Sequence, residues 1–277
     1  MSAILDFTRP SPAGTSDRHD WQHVFNAMVH PRRVPMDDQE SLHLYHAHAG
    51  VLPFEGESLS TWHWGIQGPR VLLIHGWESR STHWHAWVPA LLAAGFRVSA
   101  LDLPAHGHSS GASTDVVQCG RAVLAFARQL GSVHGVVAHS MGSAATLHAF
   151  AHGLEVQASV HLAGPSSVRR VLQGVARAGR LDDGGTQALI QAFEQRTGQP
   201  VDDMEAAALA SGMKHPALLC HDPADAEVPL HESRVLAAHW PLARLLETPG
   251  TGHRRILRDA EVIQAGVQAL RPLGASR

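Results

Sequence analysis

Ser140 lies at the junction between an apolar stretch, 133–138, and a stretch of small residues that begins at Met141. The first stretch is rich in β-branched residues and predicts a buried strand, and the second predicts a helix. A direct strand-to-helix turn strains its corner residue and requires small residues two positions to either side, as Ala138 and Gly142 are. Such a nucleophile elbow would expose the Ser140 hydroxyl at the C-terminal end of a strand.

A serine hydroxyl is a weak nucleophile at neutral pH and needs a general base that an acid holds in place. Two later loops carry suitable groups, and each follows an apolar run that predicts a strand. The first loop contains Asp222 and Asp225, and the second contains His253. We favour Asp225 as the acid because Asp222 comes only one residue after the predicted strand and is followed by Pro223.

The elements that would position these groups alternate between strand and helix. Seven strands are predicted, at 59–64, 71–74, 96–101, 133–138, 158–163, 217–220 and 243–248. Most of these strands are separated by segments whose apolar residues have helical spacing and therefore predict helices. The first of these predicted helices begins near Ser81 or Thr82. This alternation predicts a mostly parallel, doubly wound sheet with helices on both faces. The loops that carry Ser140, Asp225 and His253 would then meet at the C-terminal edge of the sheet.

Two segments depart from the alternation. Residues 166–213 contain three predicted helices with apolar stripes and no strand, and we interpret them as a helical lid inserted into a core formed by 58–165 and 214–277. Residues 1–57 are interpreted as an N-terminal extension packed on this body. Within that extension, the spacing of Trp21, Val24, Phe25 and Met28 predicts one short amphipathic helix.

These features together resemble the α/β-hydrolase superfamily of serine hydrolases, over about residues 58–271. The matching motifs are His75-Gly76-Trp77, Asp102-x-Pro-x-x-Gly-x-Ser109, the elbow at Ser140, Asp225 followed by Val228-Pro229, and Gly252-His253. The chain is most similar to compact bacterial esterase-type members. It has alanine at 138 and 105, where the family usually has glycine, and alanine is small enough for both positions.

The resemblance implies a role for each matching residue. Ser140 would be the nucleophile, His253 the general base and acid, and Asp225 the acid that orients it. The backbone N–H groups of Trp77 and Met141 would form the oxyanion hole.

The resemblance leaves the pocket and the roles of neighbouring residues less defined. We expect Phe193 and Val228 to line the substrate pocket, although Phe193 could equally be a core aromatic residue of the lid. Asp102 is interpreted as a structural anchor, because it lies on a different loop from the expected acid. His75 and His139 are expected to shape the loops beside the site rather than to transfer protons.

The implied activity is hydrolysis of a small-molecule carboxylic ester or thioester through an acyl-enzyme intermediate, with no cofactor. Acyl transfer to an alcohol or thiol would use the same triad and differ only in the acceptor. A non-catalytic ligand-binding homologue is the alternative from another class, and it would predict a damaged triad or oxyanion loop.

Composition excludes other classes of function. The formal net charge of −3 provides no basic surface for nucleic acid or for an anionic membrane. No apolar run approaches the roughly 20 residues that span a bilayer, and the N-terminus has no basic leader followed by an apolar stretch. We therefore expect a cytoplasmic protein without membrane contact, as a monomer or homodimer. Cys119 and Cys220 are expected to be reduced, packed thiols.

The chain contains 22 histidines. His-rich clusters such as His43, His46 and His48 lack the acidic or cysteine partners of a dedicated metal site, and the pair His106 and His108 is not followed by the expected Asp. We therefore expect no metal, and the sequence offers no reason for the high histidine content.

Overall fold

The computed structural model describes residues 20–271, and its centre is an eight-stranded sheet. The strands are β1 (His48–Phe54), β2 (Glu57–Trp64), β3 (Arg70–Ile74), β4 (Arg97–Leu101), β5 (Gly135–His139), β6 (Ala158–Leu162), β7 (Ala217–His221) and β8 (Ala243–Glu247). Their spatial order is β1-β2-β4-β3-β5-β6-β7-β8. Strands β3 to β8 are parallel, whereas β2 runs antiparallel to β1 and β4. The predicted mostly parallel sheet is confirmed.

The described helices connect the strands and form the 166–213 segment. They are α1 (Trp21–Val29), α2 (Asp38–Tyr45), α3 (Trp87–Ala93), α4 (Val116–Leu130), α5 (Met141–Ala151), α6 (Val168–Ala178), α7 (Asp183–Thr197), α8 (Ala206–Leu209), α9 (Leu230–His239), α10 (Gly252–Arg255) and α11 (Ala260–Ala269). Short 3₁₀ helices lie at Ser81–Trp84, Val201–Met204 and Ala210–Gly212. Within residues 20–271, no helix has both the length and the apolar character needed to cross a membrane.

The sheet is covered on both faces. Helices α4, α5 and α9 pack on one face, and α3 and α11 pack on the other. Every residue of β5, β6 and β7 is buried, which explains why these strands are almost continuously apolar in the sequence.

The strand register brings the C-terminal ends of the parallel strands to one edge. Ile74 at the end of β3 pairs with Ala138 of β5, and His139 at the end of β5 pairs with Leu162 of β6. His221 at the end of β7 pairs with Glu247 of β8. The loops that follow these strands therefore meet, as the predicted fold requires.

One predicted helix is divided into two elements. The helix expected from Ser81 or Thr82 onward is a 3₁₀ turn at Ser81–Trp84 followed by α3, which begins at Trp87. Pro89 explains the division, because proline has no N–H to bond to the carbonyl of residue 85 and its ring would clash there. Proline is tolerated once the helix restarts and places it in the first turn.

The N-terminal region contains more regular structure than the sequence indicated. Residues 38–45 form α2, and residues 48–54 form β1, which pairs with β2 and so belongs to the sheet. Strand β1 was hard to predict because it is an edge strand, is mostly exposed and contains Pro53. The predicted helix at Trp21 is present as α1, capped by the Asp20 side chain, and it packs on α6 and α7.

Candidate active site

The loop between β5 and α5 has the backbone that the elbow requires. Ser140 has φ = 51°, in the left-handed region, and its N–H donates to the carbonyl of Leu162 on β6 at 2.9 Å. A Cβ atom at Gly142 would lie 2.2 Å from the carbonyl oxygen of His75 and 2.6 Å from that of Ile74. Only glycine fits there, because α5 starts against the backbone of β3.

Three side chains from three loops meet at this corner. The Oγ of Ser140 lies 3.0 Å from Nε2 of His253, and Nδ1 of His253 lies 2.8 Å from Oδ2 of Asp225. Asp225 follows β7 and His253 lies in the short helix α10 after β8, in the chain order that the sequence predicted. The other carboxylate oxygen of Asp225 accepts backbone hydrogen bonds from Glu227 at 2.8 Å and Val228 at 3.0 Å. The Asp225 carboxylate is therefore held on both sides.

Asp222, the competing acid, makes different contacts. Its Oδ1 accepts from the N–H of Ala224 at 2.8 Å, and its Oδ2 accepts from the N–H of Gly252 at 2.5 Å. Asp222 thereby ties the loop after β7 to the loop that carries His253. These contacts give Asp222 a structural role in holding the two loops together.

The loop after β3 runs directly against the nucleophile corner. A Cβ atom at Gly76 would lie 2.9 Å from Cβ of Ser140. The next residue, Trp77, packs its ring edge-on against His106, with centroids 5.0 Å apart. Within residues 20–271, no acceptor is hydrogen-bonded to the backbone N–H of Trp77 or of Met141.

Residues 69–214, more than half of the chain, match the alpha/beta hydrolase fold family. The chain belongs to this family.

Individual relatives are similar over different shares of the chain. A pimeloyl-[acyl-carrier protein] methyl ester esterase of Vibrio atlanticus is 47% identical over 49 residues, 18% of this chain and 19% of that protein. This match thus spans about a fifth of that relative's length. A dihydrolipoyllysine-residue acetyltransferase component of an acetoin cleaving system, from Pseudomonas putida, is 28% identical over 235 residues, covering 72% of this chain and 62% of that protein. An esterase of Pyrococcus furiosus has a TM-score of 0.68 at 21% identity, covering 87% of this chain and 98% of its own, which shows the shared fold.

In this α/β-hydrolase-fold protein, two histidines at strand ends support the loops of the site: His139, which was expected to shape them, and His221, to which the sequence assigned no role. His221, the last residue of β7, is fully buried; its Nε2 donates to the carbonyl of Val228 at 2.8 Å and lies 3.5 Å from Oδ2 of Asp225. His139, the last residue of β5, donates from Nε2 to the backbone carbonyl of His253 at 2.8 Å. For His221, the position at the end of a strand, beside the expected acid, was the available signal.

Burial and hydrogen bonding set the charges of this α/β-hydrolase-fold site. Burial opposes ionisation of Asp225, but the nearby His221 ring and the hydrogen bond from His253 outweigh it and hold the pKa of Asp225 well below its usual range. Burial, reinforced by the nearby His253, lowers the pKa of His139 well below its usual value. Asp225 is therefore an anion and His139 a neutral ring at neutral pH. A second carboxylate, Glu227, lies 3.8 Å from Nε2 of His253.

Asp102 and His75 organise the neighbouring loops of the fold. Asp102 accepts from the N–H of Ser81 at 2.7 Å and from the N–H of His108 at 3.0 Å. His75 accepts from the N–H of Leu103 at 3.0 Å through Nε2. These contacts join the loops after β3 and β4, which agrees with the structural role expected for both residues.

The two expected pocket residues lie in different surroundings. Phe193 is 4% exposed and packs in an apolar cluster that joins α6, α7 and α1. The other members of this cluster are Val117, Val168, Leu172, Ile190, Val201 and Met204, with Phe25, Met28 and Val116 against it. Val228 is partly exposed, and both its N–H and its carbonyl hold the loop that carries Asp225. A pocket role for either residue stays a prediction.

Some histidines of this α/β-hydrolase-fold protein lie ring to ring, as His148 and His152 do with centroids 4.0 Å apart. Among residues 20–271, no group of three or more His, Cys, Asp or Glu side chains is arranged to hold a metal ion. Both cysteines are free and buried, and burial raises the pKa of each thiol to about 12.

Proposed function

We propose that this protein hydrolyses carboxylic esters or thioesters through an acyl-enzyme intermediate on Ser140. The observation that carries the proposal is the continuous chain of contacts from Ser140 Oγ through His253 to Asp225, with separations of 3.0 and 2.8 Å. Membership in the alpha/beta hydrolase fold family and the partial likeness to a methyl ester esterase support the same class of reaction.

In the first half-reaction, Ser140 Oγ attacks the acyl carbon while Nε2 of His253 takes the hydroxyl proton. The Asp225 carboxylate keeps Nδ1 protonated and stabilises the imidazolium that forms. The N–H groups of Trp77 and Met141 donate to the developing oxyanion, and a donor of this kind typically contributes about 3–4 kcal/mol. The imidazolium then protonates the leaving alkoxide or thiolate, and the acyl group stays on Ser140 as an ester.

In the second half-reaction, water takes the place of the leaving group. His253 removes a proton from the water as it attacks the acyl carbon, and a second tetrahedral oxyanion forms. Collapse of that intermediate returns the proton to Ser140 Oγ and releases the carboxylic acid. Every proton transfer thus uses the same imidazole nitrogen, which lies 3.0 Å from Ser140 Oγ.

Acyl transfer to an alcohol or thiol is the second candidate. The observation that favours it is the similarity to an acetyltransferase component over 235 residues. Both reactions share the acyl-enzyme and differ in the acceptor that enters the site. Adding an alcohol acceptor to an ester assay separates them: a transferase converts acyl-enzyme into the new ester faster than into acid.

The decisive experiment compares the wild type with Ser140→Ala on a series of p-nitrophenyl esters. We expect kcat to fall by about 10⁴–10⁶, with an unchanged circular dichroism spectrum. A fluorophosphonate probe should label the wild type at Ser140 and leave the variant unlabelled.

The matched control is Ser41→Ala, which changes an exposed serine on α2 and should behave as the wild type. Undiminished labelling or turnover in Ser140→Ala would contradict the assignment. A wild type that binds esters without turning them over would favour a non-catalytic homologue instead.

A further inference from the structure

Two arginines lie side by side at the N-terminal ends of the central strands, whereas Ser140 lies at the C-terminal ends. Arg70 is the first residue of β3 and Arg97 the first residue of β4, and the two are direct partners in the parallel register. Partners in adjacent strands project to the same face, and their strands lie about 4.8 Å apart. The two side chains therefore share one position at the N-terminal edge of the sheet.

The charges at this position are uncompensated within the described part of the chain. Burial, together with the positive charge of Arg97, lowers the pKa of Arg70, and no carboxylate among residues 20–271 offsets this effect. The other titratable groups facing Arg70 and Arg97 are His63 and His48. Burial lowers the pKa of His63, and the charges of Arg70 and His48 lower it further. Two like charges held this closely repel each other unless an anion lies between them.

A hydrogen-bonded relay fixes one side of the Arg70 guanidinium. Nη1 of Arg70 donates to Oγ of Ser99 at 2.7 Å, Ser99 Oγ lies 2.9 Å from Nδ1 of His63, and Nε2 of His63 lies 3.2 Å from Oγ1 of Thr61. This arrangement orients Arg70 without neutralising it. The Nε atoms of Arg70 and Arg97 are both buried and have no acceptor within residues 20–271.

The arginines open onto a surface groove with a volume of about 430 Å³. Besides the two arginines and the histidines, the groove is lined by Gly65, Ile66 and Leu130. Ile66 is 80% exposed, so the groove offers an apolar wall next to its cationic end. A cationic end next to apolar side chains offers a ligand both charge and apolar contact in one groove.

We propose that Arg70 and Arg97 bind the phosphate group of a small-molecule ligand, with Ile66 and Leu130 contacting its non-phosphate part. A phosphate monoester carries a charge of about −1.5 to −2 and three acceptor oxygens, which matches two adjacent guanidinium groups. A carboxylate carries one charge and would satisfy only one of them. The site is separate from Ser140, because it lies at the opposite ends of the parallel strands.

The test measures binding of inorganic phosphate and of phenyl phosphate by isothermal titration calorimetry, at constant ionic strength in chloride. The wild type should bind both saturably, and phenyl phosphate more tightly because of the apolar wall. Arg70→Gln and Arg97→Gln should each weaken binding by about 10- to 100-fold. Arg97→Lys should fall between, because lysine keeps the charge and loses the planar fork.

The matched control is Arg244→Gln, which removes an exposed arginine at the start of β8, a parallel strand at the far edge of the same sheet. It should bind phosphate as the wild type does. Thermal melts in chloride check folding: Arg97→Gln removes a repulsion, so its melting temperature should not fall. Phosphate should raise the melting temperatures of the wild type and of Arg244→Gln equally, that of Arg97→Lys less, and those of the two Gln variants least. Ester hydrolysis should be unchanged in all variants.

Three outcomes would overturn the proposal. The first is the absence of saturable binding of either phosphate probe below about 10 mM. The second is binding by Arg70→Gln and Arg97→Gln that equals the wild type, or a loss in Arg244→Gln that equals theirs, which would reveal a general charge effect. The third is equal affinity for acetate and phosphate. None of these outcomes depends on Ser140 being a nucleophile.

Discussion

Replacing Asp225 by asparagine should lower kcat by about 10⁴, because the surrounding backbone dictates how the new amide is oriented. Oδ1 of Asp225 accepts from the N–H groups of Glu227 and Val228, so the amide oxygen of asparagine would stay there. Its NH₂ group would then face Nδ1 of His253, where the carboxylate now lies at 2.8 Å. To accept from that NH₂, His253 would carry its proton on Nε2 and could no longer accept the proton of Ser140.

The comparison variant is Asp222→Asn. Both carboxylate oxygens of Asp222 accept backbone N–H groups, from Ala224 and Gly252, so an amide can satisfy only one of them. We expect a loss of stability of about 1–3 kcal/mol, with a decrease in kcat far smaller than that of Asp225→Asn. The tautomer of His253 would be unaffected.

The assay is the steady-state hydrolysis of p-nitrophenyl butyrate, with urea unfolding of each variant measured alongside. Asp225→Asn should unfold at a urea concentration close to that of the wild type and still react slowly. If Asp225→Asn retains kcat within tenfold of the wild type, or if Asp222→Asn is the weaker enzyme, the acid has been assigned to the wrong residue.

Other predictions concern stability. Burial lowers the pKa of His106 and of His161 to about 3, whereas an unfolded histidine titrates near 6.5. The unfolded state therefore binds more protons below pH 6.5, and each residue should reduce the free energy of unfolding by about 1.4 kcal/mol per pH unit there; denaturant titrations between pH 7.5 and 5 that show constant stability would contradict this. Phe193→Ala should cost about 3–5 kcal/mol in a thermal melt, and a shift of kcat/KM toward longer acyl groups would also place Phe193 in the pocket. Gly142→Ala should unfold the elbow, because its Cβ would meet a carbonyl at 2.2 Å, whereas Gly174→Ala, with only an arginine nitrogen at 3.9 Å, should raise stability by about 0.5–1 kcal/mol.

Much of the fold was predictable because the central strands are buried on both faces. Strands such as β5 and β7 must be apolar throughout, and this produces an unambiguous signal between turn residues. The elbow at Ser140 could be predicted for another reason. Its tight turn requires small residues, such as Gly142, at positions close to Ser140 in the sequence. The positions of Asp225 and His253 followed from the same rule that parallel strands end at one edge.

Other features depend on contacts that a single sequence does not encode locally. Strand β1 forms by pairing with β2. Its own residues do not indicate a strand, because most of them are exposed and one is Pro53. The pairing of Arg70 with Arg97 depends on β4 lying next to β3 in register, which periodicity does not reveal. Each residue begins an ordinary strand, and only their juxtaposition makes the cationic position.

The histidines at strand ends show how this chain uses an abundant residue without a metal-binding arrangement in its described part. His75 follows β3, His139 ends β5 and His221 ends β7, and each buried ring bonds to the backbone of a loop at the sheet edge: to Leu103, to His253 and to Val228, respectively. A neutral imidazole suits this purpose because it offers one donor and one acceptor on a rigid plane. Burial lowers the pKa of His75 to about 4 and that of His139 well below its usual value, which keeps both rings neutral. Protonation would convert the acceptor nitrogen of His75 into a donor that faces the Leu103 N–H. Acid should therefore loosen the loops after β3 and β4, which lie beside the proposed triad, before it titrates Asp225 itself.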